Sequence, residues 1–176
     1  KDAKVLTLGG GNIGMQVKKL LSSFGADVRI FDRYREDADL STDQELDNMI
    51  PIADILVSTL PETEETMGML NRQRLFSMHR EALVVNVGRG SAVDEDALVQ
   101  ILTEGRIAGC VLDVSRKEPL PPDHPLWDCP NTILTQHTGG GWTGESRGKV
   151  EFFLENYRRF QDGDKLLNIV DIKKGY

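Results

Sequence analysis

The stretch Val5-Leu6-Thr7-Leu8-Gly9-Gly10-Gly11-Asn12-Ile13-Gly14 decides the fold. Its first four residues form a short apolar run typical of a buried strand, and a G-x-G-x-x-G pattern follows directly. In a strand–turn–helix unit the first glycine allows the tight turn, the second lets the backbone approach a pyrophosphate, and the third allows close helix–strand packing. The free N–H groups of the helix N-terminus face the anion. These three glycines are Gly9, Gly11 and Gly14.

Short apolar runs alternate with amphipathic helical patterns along the rest of the chain. Helices are expected over Ile13–Phe24, after the capping-box residue Thr42, after Asp94, and over Thr143–Gln161. Strands alternating with helices indicate parallel βαβ units, and so predict an α/β fold with an open, doubly wound parallel sheet. The predicted strands are Val5–Leu8, Val28–Phe31, Ile55–Thr59, Leu83–Val87, Ile107–Val114 and Ile133–Thr135.

Asp32 is placed to select the dinucleotide, because it ends the second predicted strand. An acidic side chain there accepts hydrogen bonds from the adenosine ribose and repels a 2′-phosphate. The sequence therefore predicts NAD as the cofactor and makes NADP the less favoured one, with the adjacent Arg33 weakening that preference.

Composition excludes several classes of protein. The 176 residues carry a net charge of −7, which disfavours a nucleic-acid partner because such binding needs a basic face. Two cysteines and no paired C-x-x-C motif disfavour a disulfide scaffold and a structural metal site, and fit the cytoplasm. No apolar run is long enough to span a bilayer, so no membrane partner is expected.

Three residues of catalytic type follow predicted strands. Arg89 follows the fourth strand, Glu118 lies just beyond the fifth, and His137 follows the sixth. Ligands of open parallel sheets bind beyond the carboxyl ends of the strands, so these side chains are expected at one rim. An arginine can hold a carboxylate bidentately, and a carboxylate beside a histidine favours the protonated imidazole that donates a proton.

Several ordered motifs closely resemble those of the NAD-dependent D-isomer-specific 2-hydroxyacid dehydrogenases. The resemblance runs from about Lys4 to about Gly141, and Leu167–Asp171 is similar to that family's carboxyl terminus. It implies a Rossmann fold and hydride transfer between nicotinamide and C2 of a small 2-hydroxy or 2-oxo acid. The motifs are Gly9–Gly14, Asn86–Gly90, Leu112–Val114, Glu118–Leu120, Asp123–Trp127 and Thr135–His137.

The resemblance also implies roles for single residues. Arg89 binds and orients the substrate, Glu118 pairs with His137, and His137 is the acid/base. Gln136 and Thr138 depart from the proline and isoleucine common in the family. Besides the three glycines, the dinucleotide contacts fall on Asn12, Ile13, Asp32, Pro61, Thr66, Val87, Gly88, Arg89, Asp113 and His137.

The same resemblance implies a division of the chain. Residues 1–141 are expected to be the NAD-binding domain, and residues 142–176 a helix and tail that rejoin a flavodoxin-like substrate domain largely absent from this chain. The expectation is therefore a cofactor domain that is inactive alone and forms a homodimer. The alternative is a non-catalytic NAD-sensing module like the corepressor relatives of the family. The order Arg89, Asp113, Glu118, His137 disfavours a different Rossmann enzyme.

The remaining polar residues have simpler interpretations. His79 and His124 lack catalytic neighbours in sequence and are expected to be structural. The acidic residues from Glu62 to Glu65 are expected to begin a solvated helix, because negative charge is favoured at helix N-termini. The tail Leu166–Tyr176 has strand-like apolar residues.

Overall fold

A computed structural model describes residues 2–172 and contains one parallel sheet of six strands. The sheet order is β2-β1-β3-β4-β5-β6. The α/β doubly wound sheet predicted from the sequence is confirmed. The strands are β1 Lys4–Leu8, β2 Asp27–Phe31, β3 Ile55–Ser58, β4 Leu83–Asn86, β5 Gly109–Leu112 and β6 Thr132–Leu134.

The strand order reverses beside β1. The chain moves from β1 to β2 on one side and then crosses to β3 on the other side, where Leu8 pairs with Ser58. A reversal of this kind opens a crevice at the carboxyl ends of the two strands that flank it, which is where doubly wound sheets bind ligands. The glycine loop after β1 and the loop after β3 therefore border the predicted cofactor crevice.

Residues 2–172 contain five α-helices, and side-chain caps mark the starts of α2, α3 and α4. Thr42 forms a complete capping box with Glu45, and Asp94 accepts a hydrogen bond from the Ala97 N–H, so both predicted helix starts are confirmed. Short 3₁₀ turns cover Ile50–Ile52, Gly90–Ala92 and Pro125–Asp128. The helices are α1 Asn12–Ser23, α2 Asp43–Met49, α3 Arg72–Ser77, α4 Glu95–Thr103 and α5 Glu145–Asp162.

Two local predictions are wrong. The acidic segment from Glu62 to Glu65 leads into turns rather than a helix, because the Thr66 hydroxyl donates to the Pro61 carbonyl and closes a loop instead. Residues 166–172 form no strand, and Leu167 instead exchanges hydrogen bonds with the Asn156 side chain; residues 173–176 lie outside the described part. The helix α3 was not predicted, although Asn71 caps it.

The main core lies between the sheet and the helices α2, α3 and α4. Leu6, Leu56 and Val84 from the central strands pack there with Leu98 and Ile101 of α4. These strands are apolar on successive residues because a parallel sheet is covered on both faces. A second cluster, Val5, Val28 and Val57 with Val17 and Leu21 of α1, covers the other face.

The chain divides into two compact units, residues 1–137 and residues 138–176. The sheet and the candidate site belong to the first. The second contains α5, which has no buried residue, and in which the rings of Phe153 and Tyr157 stack with centroids 6.5 Å apart. No helix within residues 2–172 is long and apolar enough to cross a membrane.

Candidate functional site

The glycine loop has the geometry of an anion cradle at the start of α1. Gly9 has φ +98, which favours glycine. A Cβ on Gly14 would lie 1.9 Å from the Gly9 carbonyl oxygen, so only glycine lets the helix approach the loop this closely. A Cβ on Gly11 would meet nothing within 4 Å, and no side chain caps the helix there. The first amides of α1 therefore face open space that a phosphate can occupy.

Asp32 connects the glycine loop after β1 to the turn after β2. One carboxylate oxygen accepts the Gly10 N–H at 2.8 Å, and the other accepts the N–H groups of Tyr34 and Arg35 at 2.9 and 3.0 Å. The Arg35 side chain lies across Gly10 and donates to its carbonyl oxygen at 3.2 Å. The Arg33 guanidinium pairs with Asp43 at 2.8 Å. Asp32 thus has a structural role that the sequence did not reveal, and the Arg35 guanidinium pairs with Asp37 at 2.6 Å.

The loop after β3 forms the facing wall of the crevice. Thr66 is buried, and its hydroxyl donates to the Pro61 carbonyl oxygen at 2.6 Å. The Thr59 hydroxyl donates to the Leu8 carbonyl at 2.9 Å, which connects this loop to the end of β1. A Cβ on Gly88 would lie 2.5 Å from the Leu60 carbonyl oxygen, so the loops after β3 and β4 touch at that glycine.

Asn86 shapes the turn that presents Arg89. The buried Asn86 side chain accepts the Gly88 N–H at 3.1 Å and donates to the Arg89 carbonyl at 3.0 Å. Arg89 itself is exposed, and its guanidinium donates to the Gly88 carbonyl at 2.8 Å. The sequence reasoning included Asn86 in a motif but gave it no role; an asparagine at a strand end with a glycine two residues on is the signal for such a turn.

Glu118 and His137 form a hydrogen-bonded pair beyond the ends of β5 and β6. His137 Nδ1 lies 2.7 Å from Glu118 Oε2, and the Ser115 N–H donates to the other oxygen at 3.0 Å. The hydrogen bond from His137, with smaller effects from Ser115 and Arg89, holds the pKa of the Glu118 carboxyl below its usual range. An ionised carboxylate only accepts hydrogen bonds, so Nδ1 carries the proton. His137 has φ +55, a left-handed conformation that costs a non-glycine residue energy and is typical of functional sites.

A cavity of about 390 Å³ borders this pair. Apolar side chains, including Leu120, Trp127 and Leu134, form most of its wall, together with Asp113, Glu118 and His137. The Thr135 hydroxyl donates to Asp113 at 2.6 Å. Small-molecule sites combine apolar walls with a few convergent polar groups, as this one does.

The other predicted residues lie in the loops and helix starts near these groups. Asn12 and Ile13 begin α1 and are exposed, and the Val87 N–H donates to the Ser58 carbonyl at 3.0 Å. Cys110 is buried in β5, and burial raises the pKa of its thiol, as it does for Cys129. All the predicted site residues lie in the first unit, most of them at or just beyond the carboxyl ends of the strands. No group of three or more potential metal ligands occurs within residues 2–172.

The chain's geometry fits a nicotinamide dinucleotide. The open space at Gly11 and the uncapped α1 amides suit a pyrophosphate, and the crevice between the loops after β1 and β3 suits the adenosine half. Asp113 and the Glu118–His137 pair lie at the ends of β5 and β6, toward the other half of the sheet edge.

Comparison with protein families gives a match over residues 1–139 to the D-isomer specific 2-hydroxyacid dehydrogenase NAD-binding domain. A curated relative described as an uncharacterised protein in the proB 3′ region of Corynebacterium melassecola is 36% identical over 178 residues, covering 98% of this chain. The chain covers 58% of that relative's length.

Solved structures agree with this match. A D-isomer specific 2-hydroxyacid dehydrogenase from Xanthobacter autotrophicus, in complex with NADPH and MES, is 36% identical with a TM-score of 0.89, covering 99% of this chain and 73% of that one. An NADPH-dependent glyoxylate/hydroxypyruvate reductase from Sinorhizobium meliloti, in complex with NADP and sulfate, is 28% identical with a TM-score of 0.89, covering 99% and 57%. The Rossmann fold is thereby confirmed.

These comparisons correct one prediction about the cofactor. The sequence reasoning made NADP the less favoured dinucleotide because of Asp32, yet similar structures hold NADPH or NADP. The comparisons therefore give no reason to make NADP the less favoured dinucleotide.

Proposed function

Because the chain belongs to the D-isomer specific 2-hydroxyacid dehydrogenase family, we propose that it is the NAD(P)-binding part of an oxidoreductase that interconverts a small 2-hydroxy acid and its 2-oxo acid. The 2.7 Å hydrogen bond between Glu118 and His137 beside the cavity carries this proposal. A pair of this kind is suited to move a proton to or from a substrate oxygen, which a module that only senses the dinucleotide does not need.

In this mechanism Arg89 binds the substrate. Its guanidinium is exposed at the rim, and one nitrogen is anchored on the Gly88 carbonyl. The remaining donors can hold a carboxylate and draw electron density from the adjacent carbonyl. Lysine at this position would keep the charge but lose the planar fork.

The proton moves at His137. Glu118 accepts a hydrogen bond from Nδ1–H and stabilises the imidazolium. Nε2 is therefore the atom that donates a proton to the forming alcohol and takes it back in the reverse direction. Nicotinamide, when bound, donates or accepts the hydride. Asp113 follows β5 and lines the cavity, and in this function it would orient the nicotinamide amide.

We include both NAD and NADP in this function. The similar structures that hold NADPH or NADP support the inclusion of NADP. Fluorescence titrations of the chain with NADH and with NADPH test this, and dissociation constants within about tenfold of each other are expected, a difference of about 1.4 kcal/mol. Absence of saturable binding by both would refute the dinucleotide assignment.

The domain assignment follows from the same function. Residues 1–141 would bind the dinucleotide, and residues 142–176 would join a substrate domain, with two copies forming a homodimer in the cytoplasm. Because the chain covers 58% of its curated relative, we expect little turnover without further sequence. Light scattering measures the oligomeric state directly.

The test of catalysis uses the intact gene product and a panel of 2-oxo acids. His137→Gln is expected to abolish turnover while NAD(P)H affinity stays within about twofold, because the proton donor is lost and the glycine loop is untouched. His79→Gln is the matched control. Dinucleotide binding without reduction of any 2-oxo acid would favour the NAD-sensing module instead.

A further inference from the structure

The loop that carries Glu118 lacks a helix or strand around that residue, so other contacts must set its position. Residues 113–118 leave β5 in bends and irregular backbone. A Cβ on Gly90 would lie 2.0 Å from the Ser115 carbonyl carbon, so the loop backbone rests directly on the turn that follows Arg89. This close approach joins the arginine turn to the glutamate loop.

The Glu95 side chain holds this loop through a hydrogen bond to its backbone. It lies in the first turn of α4, is 7% exposed, and accepts the backbone N–H of Arg116 through a short hydrogen bond. Its other oxygen lies 3.6 Å from His124 Nε2. His124 Nδ1 accepts the Leu126 N–H at 3.3 Å, which directs Nε2 toward the carboxylate. A buried carboxylate is costly unless it is hydrogen-bonded, and the Arg116 N–H supplies that hydrogen bond here.

The amides of two successive residues reach two different carboxylates. The Arg116 N–H donates to Glu95, and the Ser115 N–H donates to Glu118, which in turn binds His137. Because consecutive peptide planes are linked by only two soft dihedral angles, fixing the Arg116 amide restricts where the Ser115 amide can point. Glu95 is thereby coupled to the orientation of Glu118.

We propose that Glu95, supported by His124, is a positioning residue that aligns Glu118 with Nδ1 of His137 through the Ser115–Arg116 backbone. This inference rests on the proposed role of the Glu118–His137 pair. Glu95 does not line the cavity beside the Glu118–His137 pair, and acts by holding the loop on Gly90. A merely structural role for Glu95 would be to favour the N-terminus of α4, which the exposed Asp96 in the same turn does equally well.

The test compares Glu95→Ala, Glu95→Gln and the matched control Asp96→Ala in the full 176-residue chain. Long-range ¹H–¹⁵N correlation at pH 8 reports which ring nitrogen of His137 is protonated. We expect the Nδ1–H form in the unmodified chain, a shift toward the Nε2–H form in Glu95→Ala, and recovery in Glu95→Gln, which keeps an acceptor for the Arg116 N–H. Asp96→Ala should match the unmodified chain.

Hydrogen exchange provides the second measurement. Loss of a hydrogen bond to a buried carboxylate should speed exchange of the Arg116 amide by about tenfold or more in Glu95→Ala. Faster exchange of the Arg116 amide, with the same ring nitrogen of His137 protonated as in the unmodified chain, would show that Glu95 only anchors the loop. That result would overturn the proposal.

A second variant keeps the proposal testable if Glu95→Ala does not fold. His124→Asn retains a side-chain oxygen to accept the Leu126 N–H but cannot reach Glu95, so it should shift the His137 ring equilibrium in the same direction by a smaller amount. If the tautomer equilibrium of the His137 ring is unchanged in this variant too, the coupling of Glu95 to Glu118 is refuted. NADPH titration of the same samples tests the proposed function separately, because failure to bind the dinucleotide leaves the ring measurement intact.

Discussion

Two alanine substitutions in the glycine loop separate packing from ligand approach. At Gly14 the new Cβ would lie 1.9 Å from the Gly9 carbonyl oxygen. Carbon–oxygen contacts normally fall near about 3.3 Å, so the helix and loop must part by about 1.4 Å. Overpacking of this kind costs about 1–3 kcal/mol of the free energy of unfolding. Gly14→Ala should therefore lower stability and, by displacing the α1 amides, weaken NAD(P)H binding.

Gly11→Ala should weaken binding without loss of stability. Its Cβ meets nothing within 4 Å, and the backbone φ of −71 suits alanine. The free energy of unfolding should stay within about 1 kcal/mol, because the modest cost at the helix start is offset by a less flexible unfolded chain. The methyl group would instead occupy the space through which the pyrophosphate approaches, and losing one hydrogen bond to a charged group there costs about 1.5–3 kcal/mol, or roughly tenfold to a hundredfold in the dissociation constant.

Urea denaturation and NADH fluorescence titration measure the two effects on the same samples. Gly140→Ala is the matched control, because its Cβ also meets nothing within 4 Å and it lies in the second unit. If Gly11→Ala bound NADH as tightly as the unmodified chain, the pyrophosphate would not approach that residue and the cradle would be assigned to the wrong atoms. If Gly14→Ala kept full stability, the close helix–loop contact would be refuted.

Two further predictions concern charged side chains. Arg74, whose side chain is 11% exposed, binds Asp43 and Asp47 at 2.6 Å each. Arg74→Ala should therefore lower the free energy of unfolding, measured by urea denaturation, by about 1–3 kcal/mol and leave the NADH affinity unchanged. Unchanged stability would show that these salt bridges contribute nothing. The hydrogen bond from His137 depresses the pKa of Glu118, so its stabilising effect is present above the carboxyl's ordinary pKa and is lost as the pH falls through the lower folded value. Glu118→Gln should thus reduce stability at pH 7, by less than about 1 kcal/mol since the pair is partly exposed, and the difference should vanish in strong acid; an equal deficit at both pH values would contradict this sign.

The elements predicted best are those whose signals are local. The glycine loop, the capping box at Thr42 and the cap at Asp94 are each defined by a few adjacent residues, and the structure confirms all three. The strands β1 and β3, in the middle of the sheet, were predicted within a residue or two of their observed ends because they are largely buried and so read as apolar runs. The short helix α3 was missed because its six residues offer too little periodicity.

The features that the sequence could not show depend on contacts between distant segments. Asp32 was predicted to contact the ribose, and the structure adds a second role, since its carboxylate binds the Gly10 amide across 22 positions of the chain. Glu95 was not singled out in the sequence, yet it binds the Arg116 amide 21 positions away. Pattern reasoning identifies which residue types lie at the sheet edge, but not which backbone groups they have already bound.

The candidate site at the sheet edge has two halves, and contacts between the loops after β3 and β4 join them, among them the hydrogen bond from the Gly68 N–H to the Ser91 carbonyl. The loops after β1, β2 and β3 form the dinucleotide cradle, while those after β4, β5 and β6 supply Arg89, Glu118 and His137. The halves touch where Gly88 lies against Leu60. Because Gly88 has no Cβ, the two backbones can approach each other closely there. Hydride transfer needs the dinucleotide and the proton donor held in a fixed relation, since a misplacement of about 1 Å can cost about a hundredfold in rate. The Gly88–Leu60 contact meets that need with backbone atoms, which are the least mobile atoms the fold offers.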